Sequence, residues 1–140
     1  MKGYRKVLIA MNGSVEVVKE GIKMAQDEKT WVTVLKVIPE YEGDLDLTGI
    51  KNLNDVLESE AQKALAGAGR AAESAGALIK TRLEEGAPAD RIVEVAAEER
   101  CDVIILGAKK PKGWLERFFG DHVIENVIRK ATCPVFVVGA

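Results

Sequence analysis

A chain of 140 residues that is 47% hydrophobic and 30% charged has the size and composition of one soluble globular domain, residues 1–140. Its net charge of −2 lacks the basic surplus typical of nucleic-acid-binding proteins, so we expect no nucleic-acid partner. No apolar run approaches the roughly 18 residues of a membrane span, and the apolar run VLIAM near the start is shorter than the ~7–15 residues of a signal-peptide core. These features predict a cytoplasmic protein that does not associate with membranes.

The first half of the chain alternates strand-like and helical patterns. Tyr4–Met11 contains the nearly continuous apolar run of a strand buried on both faces. Val15–Gln26 places its apolar residues at helical spacing. Trp31–Ile38 is rich in β-branched residues and predicts a second strand. An acid-rich loop, Pro39–Ile50, then precedes a long helical pattern over Asn52–Ala75.

The second half continues the same alternation. Ala77–Glu85 is a predicted strand, and Ala89–Glu99 is a predicted helix that follows a Gly-Ala-Pro break. Asp102–Gly107 is a short, apolar strand. Asp121–Ala131 has helical spacing, and Pro134–Val138 is a final apolar strand.

The order βαβαβαβαβ predicts a parallel sheet with helices on both faces, a doubly wound α/β fold. Open sheets of this kind bind ligands at the carboxyl ends of their strands, where the strand order reverses. The segments directly after the first and fourth strands, Met11–Ser14 and Gly107–Gly113, are therefore the candidate ligand site.

Several motifs do not indicate chemistry. Gly67–Ala72 matches the dinucleotide fingerprint, but it lies inside a predicted helix instead of between a strand and a helix, so we interpret its small residues as helix packing. His122 is the only histidine and is expected at the surface near a helix start. Cys101 and Cys133 have no metal spacing and no CxxC pattern, and are interpreted as packing residues in a reduced setting. The sequence therefore predicts no catalytic set and no metal site.

Four stretches occur in an order and at distances that are specific in combination: VLIAMNGS from Val7, GAPADRIVEVAAEE from Gly86, DVIILG from Asp102 and ENVIRKATCPVFVV from Glu125. Together they resemble the universal stress protein family along the whole chain. The resemblance implies a Rossmann-like, five-stranded parallel sheet in the order 3-2-1-4-5. It also implies a stress-associated regulatory or binding protein that forms homodimers and has a protein partner that the sequence does not identify.

The resemblance also implies a division between members that bind ATP and members that do not. The binders share a pattern Gly-x2-Gly-x9-Gly-(Ser/Thr) and an aspartate after the first strand. Gly107 and Gly120 match the first and third glycines of that pattern. The second glycine is replaced by Lys110, the hydroxyl residue by Asp121 and the aspartate by Asn12.

These three departures predict weak phosphate binding. A glycine lets the backbone approach a phosphate closely, which the Cβ and long side chain of Lys110 oppose. Asp121 is expected to cap the following helix with its own carboxylate, worth about 1 kcal/mol, where a phosphate would otherwise bind. Asn12 keeps a hydrogen-bonding side chain but loses the charge that would help to hold a divalent metal.

Two further residues of this loop belong to the candidate site. The segment from Gly120 to Glu125 is one residue longer than the family pattern, so a shifted alignment places His122 at the hydroxyl position. Gly113 fits a commoner glycine of the loop that is less diagnostic of nucleotide binding.

The first hypothesis is a regulatory binding protein with weak or absent ATP binding. The alternative is an ATP-binding member with at most slow hydrolysis, in which the 107–122 loop holds the phosphates and ATP with Mg²⁺ is the candidate cofactor. Cations of that loop favour the alternative: Lys109, Lys110, Lys112 and Arg117. A different enzyme built on the same frame is a third hypothesis. Under the first two, the candidate site for an adenine nucleotide comprises Ala10, Met11, Asn12, Val37, Leu106, Gly107, Lys110, Gly113, Gly120, Asp121 and His122.

The last strand predicts where a homodimer forms. In the order 3-2-1-4-5 this strand lies at an edge of the sheet, and its residues are apolar: Val135, Phe136, Val137 and Val138. Apolar edge strands are usually covered or paired. Pairing with a copy related by a two-fold axis satisfies this requirement.

Overall fold

The computed structural model describes residues 4–11, 15–25, 30–38, 53–74, 78–107 and 121–138, which form alternating strands and helices. The strands are β1 (Lys6–Met11), β2 (Trp31–Ile38), β3 (Leu78–Glu85), β4 (Val103–Gly107) and β5 (Val135–Val138). The helices are α1 (Val15–Ala25), α2 (Leu53–Ser74), α3 (Pro88–Glu98) and α4 (Asp121–Lys130). Every predicted element is present, with ends within two residues of the predicted limits.

The five strands form one parallel sheet in the order β3-β2-β1-β4-β5, which confirms the predicted fold. β1 is central, and the chain passes outward through β2 and β3 before it returns to β4 on the other side of β1. The strand order therefore reverses between β1 and β4. In open α/β sheets the carboxyl ends of such strands flank the ligand crevice.

Two apolar layers enclose the sheet and explain the continuous apolar run of β1. Val7, Ile9 and Met11 belong to a buried cluster that includes residues of α1 and α2. Leu8 and Ala10 belong to a second cluster, formed with α3 and α4. Because successive side chains of a strand point to opposite faces, a strand covered on both faces is apolar at successive positions, as β1 is from Val7 to Met11.

The fingerprint-like segment lies in the interior of α2, as expected from its helical pattern. Ala68 and Ala72 of α2 are fully buried, in the apolar cluster that also contains Leu65 of α2 and residues of β1. The glycines do not provide this packing, because a Cβ built on Gly67 or Gly69 would approach its nearest neighbour only to 3.9 Å. Although α2 has 22 residues, neither it nor another described helix is long and apolar enough to cross a bilayer.

Candidate functional site

An apolar crevice lies at the carboxyl ends of β1, β2 and β4, next to the first turns of α3 and α4. The sheet register places Ala10 opposite both Leu35 and Leu106, so the three side chains share one face. The enclosed space has a volume of about 20 Å³, which is room for roughly one water molecule. The crevice is lined by Ala10, Met11, Leu35, Val37, Pro88, Ile92, Leu106, Val123 and Ile124.

The structure brings four of the sequence-predicted residues together in this lining: Ala10, Met11, Val37 and Leu106. Gly107, which is buried, ends β4 beside them and pairs in register with Val138, but it is not part of the lining. His122 lies in the first turn of α4 with an exposed side chain, as predicted, and does not line the crevice.

Four of the remaining five predicted residues are not located by the structure. Asn12, Lys110, Gly113 and Gly120 lie outside the described residues. Asp121 is the first residue of α4, one position after the residue that caps a helix in the usual sense. Their contributions to phosphate binding therefore stay predictions.

The sequence interpretation missed the part of the crevice that the helices supply. Pro88 and Ile92 of α3 and Val123 and Ile124 of α4 all line it. Leu35 was also missed, although it stands two residues before Val37 in β2 and period-two alternation places both side chains on one face. Four-residue spacing likewise predicts that Pro88 and Ile92 share one side of α3.

A glycine turn brings α3 to the crevice. Gly86 has φ +139°, a backbone conformation that side-chain-bearing residues rarely adopt, and its N–H donates to the carbonyl of Ile38 at 2.9 Å. Pro88 then begins the helix, where a missing N–H is no disadvantage. The N–H of Arg91 donates to the carbonyl of Ala87 at 2.9 Å. The turn thus joins the end of β2 to the helix start that forms one wall of the crevice.

Ion pairs hold α3, which forms one wall of the crevice, against β3. Arg82 of β3 lies 2.9 Å from Glu98, 3.1 Å from Glu99 and 3.3 Å from Glu84. Arg91 of α3 pairs with Glu84 as well. Burial acts to raise the pKa of Glu84, but hydrogen bonds from Arg91 and Arg82 outweigh it and leave that pKa lowered. An ionised, paired carboxylate of this kind anchors a helix and is poorly suited to general acid–base chemistry.

The two cysteines are free, half-buried and packed at the border of the α3/α4 cluster. Burial raises the pKa of the Cys101 thiol to about 11 and also raises that of Cys133. Both thiols are therefore protonated near neutral pH, which suits packing residues better than nucleophiles or metal ligands. Within the described ranges, no group of three or more His, Cys, Asp or Glu residues is placed to hold a metal ion.

Comparison with known proteins supplies the family. The sequence model of the universal stress protein family matches residues 3–139. The chain belongs to the universal stress protein family. It is 35% identical to universal stress protein MJ0531 of Methanocaldococcus jannaschii over 145 residues, which cover 96% of this chain and 82% of the relative.

Solved structures agree with this assignment. The structure of protein MJ0577 from the same organism superimposes with a TM-score of 0.80 at 30% identity, covering 98% of this chain and 96% of the other. A universal stress protein in complex with cAMP superimposes with a TM-score of 0.71 at 25% identity and 98% coverage of each chain. The resemblance drawn from the four sequence stretches is confirmed.

Proposed function

We propose that this universal stress protein is a stress-associated regulatory protein that binds an adenine nucleotide weakly, mainly through the base, and that acts as a homodimer. The observation that carries the proposal is the apolar crevice at the ends of β1, β2 and β4. Its position at the reversal of strand order is where such folds bind ligands. A relative of similar fold has been solved with cAMP, which contains the same base.

The lining of the crevice favours an aromatic base over a charged group. Ala10, Val37, Ile92, Leu106 and Val123 are all apolar and buried, and ligand sites are mostly apolar with a few polar groups that fix orientation. The enclosed volume of about 20 Å³ is much smaller than an adenine ring. Side chains must therefore move to admit the base, and the free energy of that rearrangement reduces affinity.

The sequence of the following loop supports weak phosphate binding. Asp121 is the first residue of α4, and a carboxylate in the first turn of a helix is expected to compete with an anion for the N–H groups of the helix start. Lys110 replaces the glycine that would allow a close approach of the backbone. Exposed lysines of the loop offset this only partly, because exposed charge pairs are worth about 0–1 kcal/mol each.

Calorimetric titration of the purified protein with adenosine, AMP and Mg²⁺-ATP tests the proposal. If the base supplies most of the affinity and Asp121 offsets most of the attraction of the loop cations, the three dissociation constants agree within about fivefold, which corresponds to about 1 kcal/mol in total. Binding of ATP roughly a hundredfold tighter than adenosine would overturn the proposal and favour the ATP-binding alternative. No saturable binding of any of the three would remove nucleotide binding and leave protein partners as the ligands.

A charge-matched pair of variants isolates the role of the helix start. Asp121→Asn removes one carboxylate from the first residue of α4 and is expected to tighten ATP binding with little effect on adenosine. Glu125→Gln removes one exposed carboxylate from the next turn of the same helix and serves as the control. If both variants changed the dissociation constant of ATP equally, the tighter binding would result from the change in net charge and not from the position of Asp121 at the helix start.

The homodimer is proposed from β5, which lies at one edge of the sheet. Val137 of β5 is 44% exposed, and Leu78 of β3, at the opposite edge, is 46% exposed. Val137→Lys is expected to yield monomers at micromolar concentration in light scattering, because a lysine on an edge strand opposes pairing. Leu78→Lys places the same charge on the other edge and is expected to remain dimeric. Monomeric wild-type protein, or dissociation caused only by Leu78→Lys, would contradict dimerisation through β5.

A further inference from the structure

A second cavity lies at the other end of the sheet from the apolar crevice, which is the proposed nucleotide site and is called the nucleotide crevice. Its volume is about 380 Å³, within the range of small-molecule sites. The last two turns of α3 form one wall, and the segments that lead into β4 and β5 form the other. Apolar side chains, among them Val93, Ala97 and Ile104, and the thiols of Cys101 and Cys133 share the lining with the polar residues Arg100 and Thr132. Burial raises the pKa of both thiols, so they stay protonated near neutral pH and add uncharged surface to the cavity.

One cation stands at this cavity. Arg100 belongs to the lining, is exposed, and forms no ion pair with any residue that the structure describes. This sets it apart from the arginines of the β3/α3 network, Arg82 and Arg91, whose charges are matched by glutamates. The guanidinium is a planar, permanently charged donor that matches a carboxylate in a bidentate manner.

The backbone of Arg100 adds an independent observation. Its φ is +55°, the left-handed conformation that usually selects glycine after a helix. The N–H of Cys101 donates to the carbonyl of Ala96 at 2.8 Å, and that of Arg100 to Ala97 at 3.1 Å, which together close the end of α3. An arginine in this position destabilises the fold relative to glycine. Residues held in strained conformations cluster at ligand sites, so the presence of arginine instead of glycine here indicates that its side chain has a function.

From these observations we infer that the cavity lined by Val93, Ala97, Arg100, Ile104 and the two cysteines is a second binding site, which takes a small monocarboxylate with a short apolar tail. The tail lies among the apolar side chains and neutral thiols, and the carboxylate binds the guanidinium of Arg100. A dianion is disfavoured because Arg100 is the single cation of the lining that the structure describes, and the charges that act on Cys101 from outside it, Glu99 and Asp102 against Lys6, leave a negative surplus. The inference is independent of nucleotide binding, since no residue lines both cavities.

Methyl NMR of the full chain tests this inference with hexanoate and with hexan-1-ol, which has the same tail and no charge. Hexanoate is expected to saturate with a dissociation constant of about 1 mM, as for a ligand of few atoms. The shifts are expected at Val93, Ala97 and Ile104, while Leu35 and Val37 of the nucleotide crevice stay unchanged. Hexan-1-ol is expected to bind at least about fivefold more weakly, because it loses the charged hydrogen bonds.

Two variants separate the cation from general charge effects. Arg100→Gly removes the guanidinium and suits the left-handed backbone, so the protein is expected to fold and to bind hexanoate at least about fivefold more weakly. Arg70→Gln removes one exposed cation from α2 and is expected to bind as the wild type does. Absence of saturation, shifts centred on Leu35 and Val37, equal binding of the alcohol, or equal weakening by both variants would each overturn the inference.

Discussion

Gly86 and Arg91 pack so closely that a Cβ built on Gly86 would lie 3.1 Å from Cγ of Arg91. The same glycine has φ +139°, so an alanine there is strained even where the arginine moves aside. We expect Gly86→Ala to lower the free energy of unfolding by about 1–3 kcal/mol. Urea denaturation at neutral pH measures the change. Since this turn sets the start of α3, the proposed binding of a nucleotide is expected to weaken as well.

Gly67→Ala is the matched control for this prediction. Gly67 lies in the interior of α2, and an added Cβ would contact only the end of the Arg70 side chain, at 3.9 Å. The substitution is expected to raise the free energy of unfolding by about 0.5–1 kcal/mol, because glycine is unfavourable inside helices. Destabilisation by both alanines would show that the effect at Gly86 does not depend on its turn geometry.

Local sequence patterns predicted the elements and a parallel sheet, because these rest on short-range periodicity, whereas the strand order came from the resemblance to the family. The continuous apolar run of β1 requires helices on both faces, and the alternating order of elements requires parallel strands. These constraints place Ala10 and Leu106 at the carboxyl ends of their strands, and the family's strand order makes the two strands neighbours, as they are in the structure.

Features that depend on packing between distant segments were not predicted. Arg82 and Glu99 are 17 residues apart in the chain and pair only because α3 lies across β3. The contributions of Ile92 and Val123 to the crevice depend on how each helix is rotated against the sheet, which helical periodicity alone does not fix. The left-handed backbone at Arg100 has no sequence signal, because glycine is the usual residue there.

The carboxylate of Asp102 joins the start of β4 to the start of β1. It accepts the N–H of Lys6 at 3.0 Å and that of Arg5 at 2.9 Å, and these hydrogen bonds lower the pKa of Asp102. A pKa lowered by folding gives stability that is present above the unfolded pKa of about 3.9 and is lost as the pH falls through the folded value. Asp102→Asn is therefore expected to destabilise the protein by about 1 kcal/mol at pH 7, allowing for the exposure of this group.

The pH dependence distinguishes this charge effect from a loss of packing. Urea denaturation of the wild type and of Asp102→Asn, carried out at neutral pH and again about two units below the unfolded pKa, measures it. The difference between the two proteins is expected to shrink in acid, where the native carboxylate is also protonated. A difference of the same size at both pH values would contradict the assigned role.

Glu99 forms ion pairs with two cations, Lys80 and Arg82, whose contributions to stability are expected to differ. Lys80 is 2.7 Å away but its side chain is 55% exposed, whereas Arg82 is 3.1 Å away and 20% exposed. Solvent screens exposed pairs strongly, so we expect the coupling free energy of Arg82 with Glu99 to reach about 1 kcal/mol and that of Lys80 to stay below about 0.5 kcal/mol. Double-mutant cycles with Glu99→Gln, Arg82→Met and Lys80→Met measure both. A larger coupling for Lys80 would show that distance outweighs exposure here.

The thiol of Cys101 is expected to react slowly while the protein is folded. Burial raises the pKa of this thiol to about 11, and the nearby charge of Glu99 acts in the same direction. Because the thiolate is the reacting species and a free cysteine has a pKa of about 8.5, alkylation by iodoacetamide at pH 8 is expected to be roughly a hundredfold slower than in urea. Cys133→Ser isolates the reaction of Cys101, and mass spectrometry follows its rate.

In the folded protein the rate of alkylation of Cys101 is expected to keep rising beyond pH 9, since the thiolate fraction grows until the pH passes the raised pKa. A native rate at pH 8 close to the rate in urea would mean that the thiol is accessible and ionised, and would remove the neutral thiol surface assigned to the second cavity.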